Sequence, residues 1–239
     1  MVESIPAARP GDDNRERSAA TAVASRRPRL GGFSLRIAVA VIAALIAIGA
    51  ASPEGSQGRV PVTFFIGAGD RGTGFHAADR DLAAWAFESW ARESRGGLTL
   101  TPAVEEKARI RLLWVPLGSN LFGEMRRILV DGEPGAAVYV LPDLDALGAD
   151  IAGRARQDPL WRDTIVYLTC VHEIGHALGL PHTADERDIM YSFGYGGDIV
   201  EYFARYRRKL KVRADMRTVS ALSDADAQKL RALHPVAGR

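Results

Sequence analysis

His172, His176 and His182 place three of the chain's five histidines within eleven residues. Their pattern, H-E-x-x-H-x-x-G-x-x-H, constrains the local fold more than any other stretch. Residues four apart on an α-helix share a face, one turn above the other. His172 and His176 can therefore aim their rings at one point only if they sit on a helix. Gly179 can take the left-handed backbone that ends a helix, and Pro181 cannot continue one. The chain turns back there, and His182 approaches the other two rings from the side. Imidazole nitrogens bind zinc at about 2.0–2.1 Å. Three neutral ligands leave one tetrahedral position open, as in catalytic rather than closed structural zinc sites. Glu173, one position round from His172, flanks such a site without ligating and can take up and return a proton.

The chain continues from Thr183 through Asp185 and Asp188 to Ile189, Met190 and Tyr191. A long histidine motif followed by a methionine in a turn resembles the metzincin clan of zinc metalloproteases. The spacing from His182 to Met190, with Thr183, Asp185 and the pair Met190–Tyr191, is similar to the matrixins within that clan. The resemblance implies a zincin-like α/β (α+β) fold. Such a fold has a twisted mixed sheet, a backing helix and an active-site helix, then a smaller C-terminal subdomain with the Met-turn and a terminal helix. It also implies one catalytic Zn2+ held by His172, His176 and His182, with Glu173 as general base and acid and Met190 as the floor of the turn beneath them. The implied reaction is hydrolysis of internal peptide bonds in a protein or peptide substrate. In the family the substrate adds a strand to the sheet edge; by resemblance, Val138, Tyr139 and Val140 are the candidate edge. The specific match covers residues 172–191, and the rest of 60–239 agrees in pattern.

The sequence also departs from the matrixin pattern. No proline follows the Met-Tyr pair; residues 192–197 read Ser-Phe-Gly-Tyr-Gly-Gly, so the shape of the pocket beside the cut does not carry over. Ser192 stands where some metzincins place a tyrosine near the metal, which leaves Tyr191 and Tyr195 as weak candidates for that role. The propeptide cysteine switch has no counterpart in this sequence. Cys170, the single cysteine, reads as a small buried hydrophobe within the motif helix and excludes an internal disulfide.

Along residues 60–239, apolar periodicity predicts strands at 62–66, 98–101, 108–114 and 136–141 and a helix over 77–94. Residues 147–156 read as a short helix or irregular. The motif helix is expected over 164–178 with Asp163 as N-cap, and a terminal helix around 224–233 capped by Ser223. Residues 198–213 predict an amphipathic basic helix, read as a solvated charged face over a packed stripe or as a surface for anionic lipid or an acidic partner. His76 and His234 stand apart from the motif. No ligand cluster predicts a second zinc or calcium.

Residues 1–36 hold seven arginines against four acids, within a net charge of +2 for the chain. The basic balance is thus local and gives no reason to expect nucleic-acid binding. Residues 1–32 lack apolar periodicity and are expected to form a disordered basic tail. Residues 37–51 are fifteen residues without a charge, short for a membrane span of about 20 but suited to a signal-peptide core. Residues 33–52 are therefore expected to be a signal peptide or a membrane anchor, with 53–59 as linker and 60–239 as the catalytic domain. The protein would be exported, anchored with its catalytic part outside or secreted if the leader is cut. An alternative from another class is a catalytically silent zinc protein that binds peptides or a partner at the cell envelope. Hydrolysis of a non-protein amide is a third. The sequence leaves the oligomeric state open.

Overall fold

The computed structural model describes residues 61–119 and 122–236. The tail 1–32, the apolar leader 33–52 and the linker 53–59 lie outside them. Among the described residues no helix is long and apolar enough to cross a membrane.

Five strands form one mixed sheet: β1 (Val62–Ile66), β2 (Leu100–Pro102), β3 (Ile110–Trp114), β4 (Gly123–Val130) and β5 (Glu133–Val140). The spatial order is β2-β1-β3-β5-β4. β1 runs parallel to β2 and β3, and β3 parallel to β5, while β4 is antiparallel to β5. In β3, Ile110, Leu112 and Trp114 alternate inward, the period-2 pattern of a sheet with one face on the core.

Helix α1 (Asp79–Glu93) turns Leu82, Ala83, Ala86, Phe87 and Trp90 into the core, and Phe87 stacks on Phe64 of β1 with ring centroids 4.1 Å apart. A short α2 (Ala149–Gln157) precedes the long α3 (Pro159–Ala177). Residues 164–175 of α3 are all buried, as expected for a helix apolar on every side. Each fully buried large side chain there contributes about 1.5–3 kcal/mol of transfer free energy. α3 begins five residues earlier than its apolar run predicts. Pro159 presets the helical φ of the first turn, and Asp158, rather than Asp163, is the N-cap, accepting from Leu160 N at 3.0 Å. Asp163 instead pairs with Arg213 at 2.9 Å.

One strand escaped the periodicity reading. β4 contains Glu124, Arg126 and Arg127 and lacks apolar alternation. Its hairpin to β5 is written in Asp131-Gly132, both at positive φ (52° and 81°), a combination that fits a two-residue primed turn. The strand corrects the expected edge. Val138, Tyr139 and Val140 pair on one side with Leu112, Leu113 and Trp114 and on the other with Met125, Glu124 and Gly123. They are interior, and β4 is the edge beside the motif helix.

After α3, the chain forms the turn carrying Met190, then α4 (Ile199–Arg207) and α5 (Asp224–Leu233). The basic residues of segment 198–213 are mostly engaged within the fold. Arg207 pairs with Asp158 at 2.8 Å, Arg208 with Glu201 at 2.5 Å, and Arg213 with Asp163 and Asp81 while lying over the Trp85 ring. A charged face over a packed stripe accounts for these contacts.

Candidate active site and metal centre

The helix carrying the first two histidines ends in a Schellman turn. Gly179 has φ +96°. Its N–H donates to the His176 carbonyl at 3.0 Å, and the Leu180 N–H donates to the Gly175 carbonyl at 3.0 Å. These bonds satisfy carbonyls that the helix end would leave open. The reversal carries Leu180 and His182 back across the last helical turn.

The three rings meet. His182 Nε2 lies 3.2 Å from His172 Nε2 and 3.0 Å from His176 Nε2. Among the described residues, these three form the group of histidine, cysteine and acidic side chains whose ligand atoms converge. His172 Nδ1 donates to the Ile189 carbonyl at 2.7 Å, and His176 Nδ1 donates to the Leu180 carbonyl at 2.8 Å. A carbonyl oxygen only accepts, so both Nδ1 atoms carry the ring proton and both Nε2 atoms present lone pairs to the centre. His182 Nε2 faces both lone pairs, and a cation among the three nitrogens would be bound by all of them. An all-imidazole set of this kind suits zinc. Burial, then the neighbouring His176, pushes His172 down to about 3. That shift favours the neutral ring, the form able to ligate.

Glu173 follows His172 on α3 and is 2% exposed. With no cation beside it, burial pushes its carboxyl up to about 8, and the charge of Glu124 adds to the shift. A cation at the three nitrogens would pull that value down. Room for the carboxylate depends on β4, because a Cβ on Gly123 would stand 2.6 Å from Glu173 Oε1. The edge strand therefore runs close against the acid. The next strand residue, Glu124, accepts from Arg126 Nε at 2.8 Å, and Arg126 lies over Tyr139 at 5.0 Å.

Met190 is fully buried directly under the motif helix. A Cβ on Gly175 would lie 2.4 Å from its sulfur and 2.8 Å from the Trp90 ring. The glycine inside the histidine motif thus serves the methionine below it. Trp90 Nε1 donates to the Val171 carbonyl at 2.9 Å and fixes the same helix from α1. The methionine turn is bolted to α5: Asp226 Oδ2 accepts from Ile189 N at 2.7 Å and from Ser223 N at 3.0 Å, and Ser223 Oγ donates to Asp188 Oδ1 at 2.6 Å. The sequence singled out Ser223 as a cap, but nothing in it marked Asp226 as the partner of residue 189.

The weaker candidates have structural roles. Tyr191 is buried, and its hydroxyl donates to the Gly196 carbonyl at 2.6 Å. Tyr195 is 65% exposed, and Ser192 caps a short 3-10 turn. Burial pushes the Cys170 thiol well up, which removes nucleophilic character. His234 Nε2 lies 2.9 Å from the Leu178 carbonyl, far in the chain from the motif but packed against the end of its helix. A residue the sequence gave no cause to choose is Tyr202 of α4. Its hydroxyl donates to the Ile189 carbonyl at 3.1 Å, the same oxygen that holds His172. A narrow, mostly apolar cavity lies against His172, with Phe122, Leu168, Tyr191, Phe193, Tyr202 and Phe203 in its wall.

Comparison with known proteins agrees with this geometry. The chain is 29% identical over 115 residues to a macrophage metalloelastase of Oryctolagus cuniculus, covering 46% of this chain and 23% of that protein. It is 31% identical over 120 residues to an interstitial collagenase of Sus scrofa, covering 48% of this chain and 24% of that protein. Each matched stretch is about a quarter of the relative's length. The profile of the family described as Matrixin matches residues 59–198, more than half of the chain and all of the histidine site. The chain belongs to the matrixin family.

Proposed function

We propose that this protein is a zinc-dependent endopeptidase. Family membership and the histidine triad suggest a zinc metalloprotease. The observation that carries the finer reading is the convergence of three imidazole Nε2 atoms, with two of the rings held through Nδ1 by backbone carbonyls, next to a buried carboxyl. His172, His176 and His182 would hold the ion. Bound there, zinc supplies Lewis-acid chemistry, polarising a carbonyl oxygen and lowering the pKa of water.

The chain's own residues supply the rest. The two Nδ1–H bonds fix ring orientation and tautomer and raise ligand basicity. Glu173, in a site that excludes bulk water, takes the proton of the attacking water and hands it to the leaving amine. Met190 and Trp90 hold the helix that aligns these groups. The free edge of β4 offers unpaired N–H and C=O groups to an extended peptide. The apolar cavity against His172 receives a hydrophobic side chain of the substrate. Export, and an anchor or cleaved leader at residues 33–52, rest on the sequence of that segment.

The test uses the purified full chain loaded with zinc, assayed on unfolded protein substrates beside Glu173→Ala. Wild type is expected to cut internal bonds, and Glu173→Ala to keep its zinc and lose activity by at least about 100-fold. Zinc binding with equal inactivity of both proteins on a broad panel would sink the peptidase reading.

A further inference from the structure

A second cavity, of about 190 Å3, opens between α4 and the segment 187–189. Tyr202 and Leu168 belong both to its wall and to the wall of the cavity against His172. Its lining differs in kind from that apolar neighbour. Tyr202, Arg205 and Tyr206 share one face of α4, and Lys209 follows in the turn that ends the helix. The Arg205 guanidinium carbon lies 5.4 Å from the Tyr202 ring centroid, and Lys209 Nζ lies 5.9 Å from that of Tyr206. Both rings are fixed at their far ends, Tyr202 by the Ile189 carbonyl at 3.1 Å and Tyr206 by the Val219 carbonyl at 2.7 Å. Arg187 also lines the cavity.

Three cations line this cavity and one acid, Asp188, which already accepts the Ser223 hydroxyl at 2.6 Å. Asp185 and Glu186 engage Arg187 and Arg205 from outside the lining. Lys209 has no carboxylate partner among the described residues; its neighbour is the Tyr206 ring. Arg187 and Arg205 are thus each paired with one acid, and Lys209 is the lining cation that keeps its ammonium group for an incoming anion. Guanidinium and ammonium groups make their strongest hydrogen bonds to oxyanions. The cavity has room for a phosphate or carboxylate group.

We propose that this cavity is a binding site for a small oxyanion, a phosphate or carboxylate group, held by Arg205, Lys209 and Arg187. It adjoins the cavity against His172 through Leu168 and Tyr202 but includes none of the three histidines, and it needs no peptidase activity to be read out. Inorganic phosphate is titrated calorimetrically into the full chain, with and without zinc, sodium chloride keeping ionic strength constant. Saturable binding is expected in both states. Lys209→Met, a change at an exposed residue, and Arg205→Met should each weaken it by about tenfold, the loss expected for one charge-assisted contact. Arg208→Met, next to the site but outside its lining, should leave it unchanged. Sodium acetate in competition identifies the source: displacement assigns the site to carboxylates as well, and no displacement to phosphate groups. Absence of saturable binding of both anions beyond chloride overturns the proposal. So does phosphate binding that survives Lys209→Met and Arg205→Met, or that appears only with zinc present.

Discussion

His172 donates its Nδ1 proton to the carbonyl of Ile189 at 2.7 Å. A ring in the histidine motif is thereby oriented by the residue immediately before Met190, seventeen positions further along the chain. The same residue is held through its other backbone group, where Ile189 N donates to Asp226 Oδ2 at 2.7 Å. Helix α3, the methionine turn and α5 meet at this one residue. Tyr202 adds a second donor to the oxygen from α4.

Removing that second donor tests the link. Tyr202→Phe keeps the ring and deletes the hydroxyl, loosening the carbonyl that orients His172. Partners of metal-binding histidines are typically worth 10–100-fold in affinity or activity, and this more remote one is expected to weaken zinc binding by about tenfold. Competition with a chromophoric chelator measures it; unchanged affinity would show that Tyr202 only fills space.

Gly175 is expected to be intolerant of a single methyl group. Gly175→Ala drives a Cβ to 2.4 Å from the Met190 sulfur and 2.8 Å from Trp90. Overpacking of this kind costs about 1–3 kcal/mol. Urea unfolding should give that loss for Gly175→Ala and a smaller increment when the same change is made in Met190→Ala, where the clash with the sulfur is gone and only that with Trp90 remains.

Asp226 gives stability a pH dependence of definite sign. Burial holds its carboxyl above the ordinary value of 3.8, the bonds from Ile189 and Ser223 oppose the shift, and Asp188 adds to it. Its Oδ1 is buried without a hydrogen-bond partner, and Lys229 reaches Asp188 at only 4.0 Å. A folded pKa above the unfolded one gives a contribution fully present below the unfolded value and lost as pH rises through the folded value. Asp226→Asn does not titrate. The unfolding free energy of metal-free wild type minus that of Asp226→Asn should fall as pH rises above the ordinary carboxyl value of 3.8. A flat difference, or one that rises, contradicts the buried-acid reading.

Metal removal should loosen the fold as well as silence the site. A ligand present at 1,000 times its Kd stabilises by about 4 kcal/mol. Chelator treatment should therefore lower the melting temperature of wild type and Glu173→Ala alike, with recovery on adding zinc. His182→Ala should show little of this zinc-dependent shift, because it lacks the third of the converging imidazoles.

The histidine site was legible because its requirements are local. Helical spacing joins His172 to His176, and Gly179 turns the chain within three residues. Ser223 and helix 224–233 were legible for the same reason. Strand β4 was not, since this edge strand carries Glu124, Arg126 and Arg127 instead of an alternating apolar face; Asp131-Gly132 was its one visible signal. The start of α3 was missed because Asp158 and Pro159 act as cap and first turn ahead of the apolar run. The basic helix left two readings open, and only the positions of Asp158, Glu201, Asp163 and Trp85 in space decide how most of its cations are used.

By itself, the sequence determined a helix-turn unit with three imidazoles on one side and an acid beside them, because the period of the helix and the freedom of glycine act over a few residues. The tertiary structure decided what those imidazoles lean on. The carbonyl of Ile189, the carboxylate of Asp226, the hydroxyl of Tyr202 and the close approach of Gly123 to Glu173 come from segments far apart in the chain. Hydrogen bonds and contact distances between such segments follow from how helices and sheet pack, and residue order along the chain does not encode them locally.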